Sequence, residues 1–323
     1  MRAMLCHAFD GPEGLRLSTL PDVQPGPGAV AIAVAAAGVN FADTLMVRGL
    51  YQNKPPAPFA PGFEVAGTVA AVGEGVGTLA IGDRVSATMD YGGYADRVVL
   101  PAAQAVRIPD AMDFVTAAAL PVAHGTALVA LDLRAALKPG ETLLVTGAGG
   151  GVGLAAIEIG KAIGAIVVAS TGSEAKAEIA RRHGADRTIP ATPEAVRAEG
   201  KALAAGGFDV VLDIVGGDLA DAALRSLAWG GRLLIVGFAG GRIPQIPANH
   251  LILRNTAVVG VHWSSHRRRD PASLHPLYAR LFGWWSEGRI RPEIGARFPL
   301  EEAPAAMAAL LSRKVAGKIV LTM

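Results

Sequence analysis

A run of glycines between an apolar strand pattern and an apolar helix pattern has the clearest chemistry in the sequence. The strand pattern ends at Thr146, and the helix pattern follows a small-residue turn. In the spacing Ala-x-Gly-x-x-Gly, small residues permit a tight turn, and the helix N-terminus offers free N–H groups to a phosphate. The context indicates dinucleotide binding rather than a turn without a ligand. The predicted contacts are Ala148, Gly150, Gly151, Val152 and Gly153.

The end of the next predicted strand indicates which dinucleotide binds. NAD sites normally carry an acidic residue there to hold the ribose 2′-hydroxyl. This strand instead ends with Ser170 and Thr171, and Lys176 follows one turn into the next helix. Hydroxyl groups and a cation suit a 2′-phosphate, so the pattern favours NADPH. The alternative is that Ser173 only caps the helix and Lys176 is solvated.

Composition excludes several classes of protein. The chain has 323 residues, 51% of them hydrophobic and 18% charged, which excludes a disordered chain and favours two domains. A single cysteine, Cys6, excludes an intramolecular disulfide framework and a multi-cysteine zinc site. With 30 basic and 28 acidic residues the charge is nearly balanced, so no nucleic-acid partner is expected. No signal-type or membrane-spanning run is present, so we expect a cytoplasmic protein.

The pattern of elements divides the chain. Residues 1–122 contain short strand patterns with frequent Gly and Pro turns, which indicate a β-rich barrel. Residues 123–263 alternate strands and helices, which predicts a parallel, doubly wound α/β sheet. The tail, residues 264–323, ends in a strand pattern at Lys318–Leu321. By pattern alone this strand either extends the parallel sheet or returns to the barrel.

Motifs in the same order along nearly the whole chain are those of a known superfamily. They are Gly38–Tyr51, Pro58–Gly67, Val72–Val76, Gly82–Val85, Leu120–Ala127, the glycine turn, Gly184–Asp186, Asp213–Gly217, Val236–Phe238 and Gly317–Val320. The chain resembles the medium-chain dehydrogenases/reductases, most closely their zinc-free quinone oxidoreductase (zeta-crystallin-like) branch. The resemblance implies a GroES-like β-barrel catalytic domain (1–122 and 264–323) interrupted by a Rossmann domain (123–263), and a homodimer.

The resemblance also indicates whether the protein is expected to bind zinc. The zinc-dependent branch has a cysteine where this chain has Asn40, and Gly-His-Glu where it has Gly62-Phe63-Glu64. Without those ligands we expect no functional zinc, and hydride transfer without a metal. Glu64 is then interpreted as a buried, hydrogen-bonded structural residue.

Two residues of the first domain are implied to be catalytic by the resemblance. Asn40 would hydrogen-bond the cofactor or a substrate carbonyl, and Tyr51 would line the pocket and orient a carbonyl or donate a proton. The alternatives are an Asn that satisfies a turn and a Tyr that packs against prolines. Further cofactor contacts, implied in the same way, are His124, Thr126, Val215, Gly237, Phe238 and Lys318.

Two departures from the family pattern leave questions open. Relatives often carry an Asn-Tyr pair whose ring stacks on adenine, whereas this chain has Arg187 to Pro190 in that region, so the adenine-binding mode is open. The basic run Arg267–Arg269 either attracts an anionic group such as a coenzyme A phosphate or lies in a solvated loop.

Taken together, the sequence predicts an NADPH-dependent reductase of quinones or α,β-unsaturated carbonyls. One alternative is an enoyl-thioester (enoyl-CoA) reductase, for which the basic run would have a role. Another is an NADPH-binding, crystallin-like protein with little turnover.

Overall fold

A computed structural model describes the backbone of residues 1–323 and the side chains of all residues except Ala272. The chain forms two compact units. Unit 1 comprises Met1–Val122, His266–Phe282 and Pro292–Met323, and unit 2 comprises Ala123–Ser265 and Gly283–Arg291. Among the described helices, none is both long and apolar enough to cross a membrane.

The strands are β1 (Arg2–Cys6), β2 (Leu15–Thr19), β3 (Ala29–Val39), β4 (Glu64–Val72), β5 (Arg84–Thr88), β6 (Arg97–Pro101), β7 (Ala105–Arg107), β8 (Thr142–Val145), β9 (Ile166–Thr171), β10 (Arg187–Pro190), β11 (Phe208–Asp213), β12 (Leu227–Ile235), β13 (Ala257–Gly260), β14 (Ile294–Pro299) and β15 (Lys318–Thr322). The α-helices are α1 (Phe41–Met46), α2 (Phe114–Ala119), α3 (Pro121–Leu128), α4 (Gly151–Ile163), α5 (Glu174–Arg182), α6 (Pro193–Ala202), α7 (Gly217–Arg225), α8 (Ala248–Arg254), α9 (Trp263–Arg269), α10 (Leu274–Ser286) and α11 (Ala303–Leu311).

Unit 1 is built on a seven-stranded sheet with the order β14-β15-β3-β4-β5-β7, in which β6 also pairs with β3. β3 is long, rich in small and β-branched residues, and mostly buried. It lies so close to β4 that a Cβ atom at Gly67 would be 2.0 Å from the Ala33 carbonyl oxygen. The last strand, β15, pairs antiparallel with β3, with Ile319 opposite Val39. The tail therefore returns to the β-rich unit, as the resemblance implied.

Unit 2 contains a six-stranded sheet with the order β10-β9-β8-β11-β12-β13, and every pair in it is parallel. The chain proceeds outward from β8 in one direction and from β11 in the other. Strand order therefore reverses between these two strands, and in such sheets ligands bind at the carboxyl ends beside the reversal. The predicted doubly wound sheet is confirmed.

The tail is divided differently from the expected 264–323 block, because Gly283–Arg291 belongs to unit 2. The reason is local bonding: the Arg289 guanidinium donates to the Ala162 carbonyl, and the Arg291 N–H donates to Glu158. Sequence pattern showed one helix from Leu274 but not which contacts its C-terminal end would make.

Candidate functional site

The glycine turn joins β8 to α4 and has the close packing that the fingerprint requires. Gly147 has a φ of 62°, in the left-handed region. A Cβ atom at Gly153 would lie 2.4 Å from the Gly147 carbonyl oxygen, so only glycine fits there. At Gly150 a Cβ atom would be 3.6 Å from the nearest atom, which is ordinary contact. The protein itself does not demand glycine at 150, and this is the position where a phosphate would approach the backbone.

Polar groups collect at the end of β9. The Ser170 hydroxyl is fully buried without a hydrogen-bond partner, while its carbonyl accepts the Ala148 N–H at 3.1 Å. The Lys176 side chain lies against the turn, since a Cβ atom at Gly149 would be 2.6 Å from its Cδ. Ser173 caps α5 by accepting the Lys176 N–H at 3.4 Å. An orphaned hydroxyl, a cation and a glycine cradle fit a dinucleotide phosphate.

A buried aspartate orders the crevice between β8 and β11. Asp213 accepts the Thr146 hydroxyl at 2.6 Å and the Gly216 N–H at 2.9 Å, and burial raises its pKa. These bonds tie together the two loops beside the reversal of strand order. Sequence analysis missed this role, although an acid that directly ends a buried strand was a signal for it.

Of the predicted contacts, Val215 lies on the loop after β11, and Gly237 and Phe238 lie on the loop after β12. The Val215 side chain would be 3.2 Å from a Cβ atom at Gly147. The loop after β12 is held against the first one, because the Ala239 N–H donates to the Ile214 carbonyl at 3.0 Å. Gly237 and Phe238 therefore share the crevice with Val215.

A second group in unit 2, the imidazole cluster, consists of His124, Glu158 and His183. His124 Nε2 is 2.8 Å from one oxygen of Glu158, and His183 Nδ1 is 2.8 Å from the other, which also accepts the Arg291 N–H at 2.8 Å. Burial acts to raise the pKa of Glu158, but hydrogen bonds from the two imidazoles outweigh it and lower this pKa to about 2. His124 is thus tied to α4, while its Nδ1 is buried without a partner. Thr126, two residues on, is also buried.

Unit 1 contains a buried group that we call the ammonium cluster: Asn40, Asp43, Glu64 and Lys318. The Lys318 ammonium donates to Glu64 Oε1 at 2.6 Å and to Asn40 Oδ1 at 2.7 Å. Asn40 Nδ2 donates to Glu64 Oε1 at 2.9 Å, and the Glu64 side chain is fully buried. Glu64 is therefore the buried, hydrogen-bonded residue that sequence analysis expected.

Asp43 sits in the same cluster without an ion-pair partner of its own. Its carboxylate accepts the N–H groups of Asn40 and Gly62 at 2.8 and 2.9 Å and the Tyr94 hydroxyl at 3.2 Å. Burial raises the pKa of Asp43 to about 7, because these bonds and the Lys318 charge compensate only in part. Asp43 is a titratable group that sequence analysis did not single out.

Two further positions, Tyr51 and Arg267, have surroundings that sequence analysis did not describe. Tyr51 is half-buried and meets Phe63 edge-on at a centroid distance of 5.4 Å. Arg267 lies in α9 and is buried against Asp90. It is therefore not part of a solvated loop, and its charge is already compensated.

The chain matches known protein families over both units. The family model described as "Alcohol dehydrogenase GroES-like domain" matches residues 26–110, and that described as "Zinc-binding dehydrogenase" matches residues 151–280. Despite the second description, the described residues contain no group of three or more His, Cys, Asp or Glu that could hold a metal ion.

Individual relatives cover the whole chain. Quinone oxidoreductase-like protein 2 of Mus musculus is 39% identical over 327 residues, which cover 100% of this chain and 92% of the relative. A probable oxidoreductase from Mycobacterium abscessus has a TM-score of 0.90 and 38% identity, with 100% and 99% of the two chains covered. A mycobacterial protein, Rv1454c, complexed with NADPH has a TM-score of 0.93 and 32% identity over 100% of both chains.

These matches agree with the doubly wound sheet and the glycine turn of unit 2. The chain belongs to the zinc-free quinone oxidoreductase branch of the medium-chain dehydrogenase/reductase superfamily, whose members are NAD(P)-dependent oxidoreductases.

Proposed function

We propose that the protein is an NADPH-dependent reductase that delivers a hydride to a quinone or an α,β-unsaturated carbonyl without a metal. The observation that carries the proposal is the end of β9, where Ser170 has a buried hydroxyl without a partner and no acid occupies the last two strand positions. An acid-free strand end does not repel a 2′-phosphate, and an orphaned buried hydroxyl calls for a hydrogen-bonding ligand. When bound, the nicotinamide supplies the hydride.

The phosphates of the cofactor would be held by backbone N–H groups and by three polar side chains. The turn residues 148 and 150–153 would receive the pyrophosphate at the N-terminus of α4. The 2′-phosphate would be held by Ser170, Thr171 and Lys176. The nicotinamide ribose would contact the crevice residues Val215, Gly237 and Phe238. We assign His124 and Thr126 to the same pocket, and Asn40 and Tyr51 to the acceptor.

Steady-state oxidation of NADPH and NADH with quinones, enones and enoyl-CoA esters tests this function. We expect turnover with quinones or enones and a clear preference for NADPH. Preference for enoyl-CoA esters would support the thioester alternative. Tight NADPH binding without any turnover would support the crystallin-like alternative and contradict the proposal.

Cofactor preference is tested separately by fluorescence titration of Lys176→Ala. Loss of a charge-assisted contact to phosphate is expected to weaken NADPH binding by about 1–2 kcal/mol, with little change for NADH. Lys201→Ala, at an exposed position on α6, is the matched control. Equal affinity of the wild-type protein for both cofactors would contradict the assignment.

We further propose that the protein is a homodimer formed along β13. This strand ends the parallel sheet, so one of its edges has no partner among the described strands. The adjacent helix α8 contains no buried residue, and Ile252 and Leu253 on it are 77% and 72% exposed. An unpaired edge beside exposed apolar residues favours pairing with a second copy. Sedimentation of wild-type protein and Ile252→Asp checks this; a wild-type monomer would contradict it.

A further inference from the structure

The side-chain amide of Asn40 lies between two opposite charges. The Lys318 ammonium donates to its Oδ1 at 2.7 Å, and its Nδ2 donates to Glu64 Oε1 at 2.9 Å. An ammonium only donates hydrogen bonds, and an ionised carboxylate only accepts them. Turning the amide by half a turn would set its NH₂ group against the ammonium and its oxygen against the carboxylate. The two charges therefore permit a single amide orientation.

Neither charge can swing away from the amide. Lys318 uses its third N–H on the Val39 carbonyl at 3.2 Å, and Glu64 Oε2 accepts the Val122 N–H at 2.7 Å. The Lys318 and Glu64 side chains are 5% and 0% exposed. Gly38 leaves no spare room, since a Cβ atom there would be 2.2 Å from Glu64 Oε1. Buried ion pairs with every hydrogen-bonding group satisfied are rigid.

One amide hydrogen of Asn40 is only weakly bonded within the protein. Nδ2 has two hydrogens, and one of them is used by Glu64. The other has the Gly38 carbonyl as its partner at 3.4 Å, beyond the usual range of an N–H···O bond. Asn40 can therefore present an N–H to a ligand, whereas its oxygen is held by Lys318.

We propose that Lys318 and Glu64 are positioning residues that fix Asn40 as a hydrogen-bond donor, so that the group recognised at Asn40 is a carbonyl oxygen. This inference rests on the proposed function, which places Asn40 beside the acceptor. In the reduction, the electron pair of the hydride forms a new C–H bond on the acceptor. The π electrons of the acceptor then move to the carbonyl oxygen, which takes a proton from water. Negative charge thus grows on the atom that faces the fixed N–H, which stabilises it.

The inference also changes the role of Lys318. Its three N–H groups are satisfied by acceptors of unit 1, so in this arrangement it acts through Asn40 instead of contacting the cofactor directly. A cofactor contact would require one of these short bonds to break. NADPH affinity is therefore a readout that separates the two roles.

Turnover of four variants with a quinone that the wild-type protein reduces tests the proposal. Asn40→Ala is expected to lower kcat on the order of 10²-fold, the effect of losing one donor to a developing oxyanion. Lys318→Met should lower kcat similarly, because the amide can then turn, with NADPH affinity within about twofold. Lys318→Arg, which keeps a cation, should recover most of kcat, and Lys314→Met at an exposed position is the control. Unchanged kcat in folded Lys318→Met would overturn the proposal, as would a loss confined to NADPH affinity.

A second measurement does not depend on turnover or on the folding of Lys318→Met. It follows the NMR signals of labelled asparagine in the wild-type protein. Addition of 1,4-naphthoquinone in the presence of NADP⁺ should shift the signal of one Nδ2 proton of Asn40 and leave the signal of the Glu64-bonded proton in place. Quinone binding that shifts neither proton would overturn the inference. If wild-type protein reduces no carbonyl acceptor, the proposed function fails, and the NMR result for the free amide still shows whether Lys318 and Glu64 fix its orientation.

Discussion

Each of the two buried clusters removes carboxyl groups from water, but the pKa of a carboxyl group rises in one cluster and falls in the other. In the ammonium cluster one cation, Lys318, serves both Asp43 and Glu64, and the pKa of Asp43 rises to about 7. In the imidazole cluster two rings serve the single carboxylate of Glu158, and its pKa falls to about 2. Burial acts to raise the pKa in both cases. Each carboxylate accepts three hydrogen bonds, so the difference comes from the kind of donor. Two imidazoles lower the pKa of Glu158, whereas two backbone N–H groups and a phenol do not offset the burial of Asp43.

The largest expected effect is the loss of the cation in the ammonium cluster. Lys318→Met would leave Glu64 buried without a counter-ion, and we expect the free energy of unfolding to fall by about 3–5 kcal/mol. Urea denaturation at neutral pH measures it, with Lys314→Met as the exposed control. A loss below about 1 kcal/mol would show that Glu64 does not depend on Lys318.

The raised pKa of Asp43 predicts a second effect, on the neutral side of the pH range. The folded state binds the Asp43 proton more tightly than the unfolded chain, so this stabilisation is complete below pH 3.8 and is lost as pH rises to about 7. The shift corresponds to about 4 kcal/mol as an upper value. Unfolding free energies of wild-type protein and Asp43→Asn from pH 4 to 8 should show this slope only in the wild type. Asp110→Asn, at an exposed position, should keep it, and parallel curves for all three proteins would refute the assignment.

The imidazole cluster should show the opposite dependence on pH. Because the pKa of Glu158 is lowered from 4.5 to about 2, its contribution is present above pH 4.5 and is lost as pH falls toward 2. The expected total is about 3 kcal/mol. Glu158→Gln should lack this acid-side loss, while the exposed Glu301→Gln should retain it. Denaturation between pH 5 and 3 measures the difference; an unchanged acid slope in Glu158→Gln would mean that other groups cause it.

Removing one of the two imidazoles should have the smallest effect. His183→Gln leaves His124 and the Arg291 N–H on Glu158, and we expect a cost of about 2 kcal/mol at pH 6. The acid-side loss should also begin at a higher pH, since one bond that lowers the Glu158 pKa is weakened. If the loss begins at the same pH, His124 alone sets that pKa.

Elements that depend only on neighbouring residues could be predicted from the sequence. The glycine turn between β8 and α4 depends on a few adjacent residues, and Gly153 is required by contacts within that turn. The four-residue strand β10 was missed, because few residues contribute to its periodic pattern. The segment after α10 could not be assigned to a unit from sequence, since Arg289 and Arg291 contact groups more than a hundred positions earlier in the chain.

The sequence alone determined the doubly wound sheet, the dinucleotide turn and the absence of zinc ligands at Asn40 and Phe63, because residue type and spacing carry these features. The tertiary structure alone decided which charged groups meet. Lys318 reaches Asn40 across 278 positions, and His124 reaches Glu158 across 34. Periodicity places a residue on a face of a helix or strand, but it does not say which distant donor will satisfy a buried carboxylate. Folding selects that partner, because a buried charge without one costs a large share of the stability of the fold.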